Sequence, residues 1–216
     1  MKKLALLVLT AALTACGGGS DTASSPTVVL SLLASTNVDS SGFPWSSYPG
    51  VTKRWALPIP VKVNGEVRAG PAMDAIEAKL GMVLFDRTSL NSVAVGNVTR
   101  GIVFSQGTSY LPTGADPQGF CANVSDGPYA PGFPGGFVRA PGEMSARLYV
   151  NLDNPKCTAG ADVVIHELGH ALGLGSHFQG FGNGPAISAD FWSVLDTLYS
   201  NPIGTPKANI VYKSPN

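Results

Sequence analysis

The twelve residues His166 to His177, HELGHALGLGSH, constrain this chain more than any other stretch. His166 and His170 are four apart, so on a helix both project from one face, one turn above the other. Two imidazoles at that spacing can share one small tetrahedral ion. Glu167 falls about 100° further round the helix. It is near such an ion but angled away from a ligand position, where a carboxylate can take a proton from a water that the metal holds. The competing explanation is an accidental match. A chain of this length and composition carries H-E-x-x-H by chance roughly once in a thousand cases, and here all three histidines of the chain fall inside the twelve residues.

A catalytic ion of this kind, Zn2+ by its imidazole ligands, needs three protein ligands and an open fourth position. No glutamate follows Glu167, which excludes a third ligand of that type from a later helix. Asp190 and Asp196 are available, but they read better as a residue at the start of the last helix and as an exposed helical residue. His177 is the strongest candidate. Gly173 and Gly175 can supply the positive φ and the sharp turn that end the helix and swing the chain back under the metal.

These residues resemble the metzincin zinc proteases, and among them most the matrixins, whose pattern is H-E-x-x-H-x-x-G-x-x-H. His166, Glu167, His170 and Gly173 match it residue by residue. Ser176 occupies the slot of the third ligand, with His177 one position later. The likeness covers residues 53–180 loosely and 164–177 tightly. It implies a metzincin-like catalytic domain with a small C-terminal subdomain, zinc on His166, His170 and His177, and Glu167 as general base. The activity implied is that of a zinc-dependent endopeptidase, monomeric, acting on a peptide laid antiparallel to an edge strand near residues 137–152. The family also carries a methionine in a turn beneath the metal, whereas this chain has none after Met144. Leu195 could fill that space, or the turn is absent. Tyr199 could present a hydroxyl at the metal, as a tyrosine does in some relatives, or could simply pack in the last helix. A different class of function is a non-catalytic surface module that keeps zinc for stability. An intact Glu167 argues against that, because a purely structural site needs no base and is usually closed by four protein ligands.

The rest of the chain reads as an α+β domain with a mixed sheet. Leu57, Ile59, Val61 and Val63 alternate with Pro58, Pro60 and Lys62 in a strand from Trp55 to Val63, and the prolines place it at an edge or a strand start. Met73, Ile76 and Leu80 have helical spacing in 71–80, with Gly81 as a stop. Short strands follow at 82–85 and 101–105, then a loop from Gln106 to about Gly142, then a strand over 146–152. Thr158 is a candidate cap for the motif helix, whose buried face is Val164, Leu168 and Ala171. A last helix begins after Ser188 with Phe191, Leu195 and Leu198 on one face.

Upstream lies a different kind of sequence. MKKLALLVLTAALTAC has two lysines before an apolar run too short to span a bilayer, which is the form of an export signal. Leu13-Thr14-Ala15-Cys16 resembles a bacterial lipobox, which implies removal of residues 1–15 and a lipid on Cys16 that anchors the protein in the cell envelope, at the outer membrane. Residues 16–52, rich in Ser, Thr, Gly and Pro, read as a flexible linker able to pack partly on the domain, and the metallopeptidase domain follows over 53–216. Export leaves Cys121 and Cys157 as an even pair in an oxidising compartment, for which a disulfide is the default. Lys plus Arg and Asp plus Glu balance at 14 each, so no basic field for nucleic acid exists.

Overall fold

The computed structural model describes residues 22–40, 48–111, 114–127, 138–139, 141–184 and 186–215. Cys16 and its lipobox lie outside these. Among the described residues no helix is long and apolar enough to cross a membrane.

A five-stranded sheet forms the frame. Its strands are β2 (Ile59–Lys62), β3 (Phe85–Asp86), β4 (Gly101–Gln106), β5 (Ala122–Ser125) and β8 (Arg147–Leu152), in the order β3-β2-β4-β8-β5. All pairs are parallel except β5, which runs antiparallel to β8 with Asn123 opposite Asn151. Strand alternation sorts the side chains onto two faces. Ile59, Val61, Ile102, Phe104, Leu148, Val150 and Leu152 enter the main core, while Val103 and Tyr149 point the other way and pack with Val98. Helices α2 (Ala69–Leu80) and α3 (Ala161–Leu172) pack on the main-core side and against each other. Ala72, Met73, Ile76 and Leu80 form the buried stripe of α2, which stops at Gly81 with φ 64°. A smaller sheet joins β1 (Arg54–Trp55) to β7 (Glu143–Met144) and β6 (Val138–Arg139). The C-terminal part holds β9 (Phe178–Gln179), β10 (Gly182–Asn183) and α4 (Ala189–Ser200). The α+β class expected from the sequence is therefore present.

Four local expectations change. The alternating run 55–63 is split into the end of β1 and β2, with the cis peptide Leu57–Pro58 between them. The edges of the main sheet are β3 and β5, the latter inside the long loop; of the segment near 137–152, β8 is paired on both sides and only the short β6 is an edge, in the smaller sheet. The cap of α3 is Gly160 and not Thr158. Asp153 Oδ1 accepts from the Ala159 N–H at 2.7 Å and holds that stretch extended, so the helix begins two residues later.

The fourth change concerns the expected linker. Residues 26–33 form α1, with Pro26 in its first turn, followed by a π-helical turn over Ala34–Val38. Val29 and Leu33 are one α-turn apart, and the wider π-turn carries the register on to Val38. All three are fully buried, and α1 packs against α4. The folded unit thus extends well upstream of residue 53. Thr36 and Asn37 are fully buried too, and composition alone classes such residues with solvated ones.

Cys121 and Cys157 form a disulfide, joining the start of β5 to the approach of α3. Closing a 36-residue separation is worth about 4 kcal/mol on the chain-entropy model. A Cys121→Ser, Cys157→Ser double variant should therefore melt well below the oxidised protein. An unchanged melting temperature would mean the bridge constrains nothing that unfolds.

Candidate metal centre

Each side chain of the motif is placed by how α3 ends. The last carbonyls of a helix have no partner within it, and here distant parts of the chain supply them. The Trp55 indole N–H donates to the Ala171 carbonyl at 2.8 Å, the Tyr199 hydroxyl to Leu172 at 2.9 Å, and the Asn37 side-chain amide to Gly173 at 2.8 Å. Gly173 turns the chain out of the helix at φ 128°. A Cβ there would lie 2.9 Å from the Lys53 carbonyl oxygen, so glycine is required for space as well as for conformation.

Beyond that turn, His177 comes back to meet His166 and His170. The three Nε2 atoms form a nearly equilateral triangle with sides of 3.1, 3.1 and 3.2 Å. Nitrogen ligands ~2.0–2.1 Å from a tetrahedral ion lie roughly 3.3–3.4 Å from one another, so the triangle fits such an ion to within a few tenths of an ångström. The tautomers fit as well. His166 Nδ1 lies 3.0 Å from the Ala186 carbonyl and His170 Nδ1 lies 2.5 Å from the Leu174 carbonyl. A carbonyl only accepts, so both Nδ1 atoms carry the proton and both Nε2 lone pairs face the centre. Burial lowers the pKa of His166 below 6.5 and that of His170 to about 3, which keeps both rings neutral at pH 7. Neutral lone pairs converging at this distance repel one another unless a cation lies between them. The three histidines could hold a metal ion, and among the described residues they are the one such group.

Glu167, the residue after His166 in α3, is buried, and loss of hydration raises its carboxyl to about 8. A dication at the three nitrogens would oppose that shift and favour the carboxylate. Phe181 closes the apolar side. Its ring is fully buried, with its centroid 4.3 Å from that of His166 and 4.7 Å from that of His170, and Phe191 packs behind it at 5.3 Å. Gly169, between Glu167 and His170, makes room for this packing, since a Cβ there would meet the Phe191 ring at 2.6 Å.

The remaining sequence candidates fall elsewhere. Asp190 accepts from the backbone N–H and hydroxyl of Ser24 at 2.6 and 2.8 Å. Asp196 is buried rather than exposed, with the Ser200 hydroxyl at 3.1 Å and Lys213 Nζ at 3.6 Å. Tyr199 caps α3 and so belongs to the core. Leu195 is buried in α4, and Phe181 packs its ring against the imidazoles of His166 and His170. The sequence signal for Phe181 was present in FQGFGNG, an aromatic within a glycine turn just after the last histidine. Ser176, in the slot of the pattern's third ligand, is exposed and is tied through its backbone to Thr36. No family model matches the chain, and no curated protein and no solved structure matches it.

Proposed function

We propose that this protein is a zinc-dependent endopeptidase, exported and anchored to the cell envelope through a lipid on Cys16. His166, His170 and His177 would hold the ion. A zinc ion bound there supplies Lewis acidity, which makes water nucleophilic and polarises a carbonyl. Glu167 accepts the proton from the attacking water and later returns it to the leaving amine. Phe181 and Phe191 keep water from the inner side of the imidazoles. The antiparallel edge strand β5 lies beside α3, where an extended peptide can add by main-chain hydrogen bonding. The observation that carries this reading is the triangle of Nε2 atoms, with a buried Glu167 directly after His166 on the same helix.

The test is zinc content and proteolysis on one preparation. One zinc per chain is expected, with cleavage of a denatured protein that a chelator abolishes and added zinc restores. One zinc without cleavage of any denatured protein would instead support a non-catalytic, zinc-stabilised module.

Acidity provides a further check. Protons compete with the ion for imidazole, and burial favours the neutral, metal-binding form of His166 and of His170, whose pKa falls to about 3. Bound zinc should therefore be held at neutral pH and be released in acid. Release already at pH 7, or full retention in strong acid, would contradict an imidazole site of this kind.

A further inference from the structure

His177 differs from the other two histidines in how it is aimed. His166 and His170 are each oriented by an Nδ1–H bond to a carbonyl, whereas His177 is exposed and has no such bond among the described residues. Its ring rests on Gly182, where a Cβ would come within 2.5 Å of His177 Cδ2. Otherwise its position depends on the backbone of Gly173–Ser176, a turn with two glycines whose freedom would cost entropy to fix.

That turn is held from about 140 residues upstream. The Gly175 N–H donates to the Thr36 carbonyl at 2.8 Å. The Thr36 hydroxyl donates to the Ser176 carbonyl at 2.7 Å and accepts from the Ser176 N–H at 3.1 Å. Asn37 secures the start of the turn by donating to the Gly173 carbonyl at 2.8 Å and the Lys53 carbonyl at 2.7 Å, and its own Oδ1 accepts from the Lys53 N–H at 2.9 Å. Lys53, fully buried, donates through Nζ to the carbonyls of Asn37 and Val38 at 2.7 and 2.9 Å, which fastens the π-turn itself. Two buried polar side chains thus hold the turn that leads to the exposed ligand, Asn37 at its start on Gly173 and Thr36 at its end on Ser176.

We infer that Thr36 and Asn37 are positioning residues for His177, and that the segment between the membrane anchor and the catalytic core sets the metal affinity of the site. This rests on the zinc reading above. The extra residue before His177 lengthens the turn, and the N-terminal segment takes the place of the Nδ1 bond that orients the other two ligands. The coupling is reciprocal: if the clamp strengthens metal binding, metal binding must tighten the clamp.

The experiment is zinc competition against a chromophoric chelator, on the full mature chain. Thr36→Val should weaken zinc roughly 10–100-fold, the range for lost outer-shell partners, and Thr36→Ser should restore it. In a His177→Ala background Thr36→Val should have no further effect. An unchanged affinity, or the same loss in both backgrounds, would overturn the inference. If Thr36→Val does not fold, hydrogen exchange on the wild-type chain decides the matter. Adding zinc should slow exchange at residues 34–38, Gly175 and Ser176, and unchanged exchange there would overturn it. Failure of the zinc reading is separately visible as wild-type chain that takes up no zinc, or that holds it equally well without His177, and this too would overturn the inference.

Discussion

Glu167→Gln should keep the fold and the bound zinc while hydrolysis falls by roughly 10²–10⁴-fold, the span of a lost general base. The amide has the same shape and cannot accept the proton. It also removes a titration. The raised pKa means that in the metal-free protein folding favours the protonated carboxyl, so Glu167 favours stability fully below its unfolded value of 4.5 and loses that contribution as the pH rises through about 8. With chelator present, the wild-type melting temperature should therefore drop between pH 5 and 8.5 relative to that of Glu167→Gln. Parallel curves would mean that the carboxyl is not buried as described, and full activity in the variant would remove Glu167 from the chemistry.

His177→Ala should weaken zinc by more than the roughly 10–100-fold cost of an outer-shell partner, because a direct ligand is gone. No fourth histidine exists to replace it. Hydrolysis should fall with occupancy and recover only in part at high zinc, where two imidazoles are a poor cage. Asp190→Ala should leave affinity nearly unchanged, because its carboxylate is engaged with Ser24. The two variants together separate the candidate third ligands. Equal zinc affinity in His177→Ala and wild type would place the third ligand elsewhere.

Periodicity and spacing made much of this molecule legible. The stripe Met73, Ile76, Leu80 and the face Phe191, Leu195, Leu198 are buried as helical spacing requires, and the i, i+4 histidines converge because an α-helix allows nothing else. The Cys121–Cys157 disulfide is the pairing that an even cysteine pair leads one to expect. What escaped the sequence has a common cause in side chains used against their type. Thr36, Asn37 and Lys53 are buried polar residues whose side chains bond backbone groups distant in sequence, and composition reads them as solvent-facing. The strand β5 is four residues in a loop rich in Gly and Pro, and its pairing partner β8 lies more than twenty residues on. Phe181, an aromatic in a tight turn just after His177, packs against two of the imidazoles, a contact that helical or strand periodicity does not announce.

The central claim is that one ion is held by three histidines, with the late one as third ligand. Past Gly173 the backbone is no longer helical, so an extra residue widens a turn instead of rotating the ligand by about 100°. The most direct measurement is a crystal structure of the zinc-loaded chain. It should place Nε2 of His166, His170 and His177 each ~2.0–2.1 Å from one zinc ion, with Ser176 outside the coordination shell. A zinc ion held by His166, His170 and a carboxylate oxygen of Asp190, with His177 turned to solvent, would contradict it.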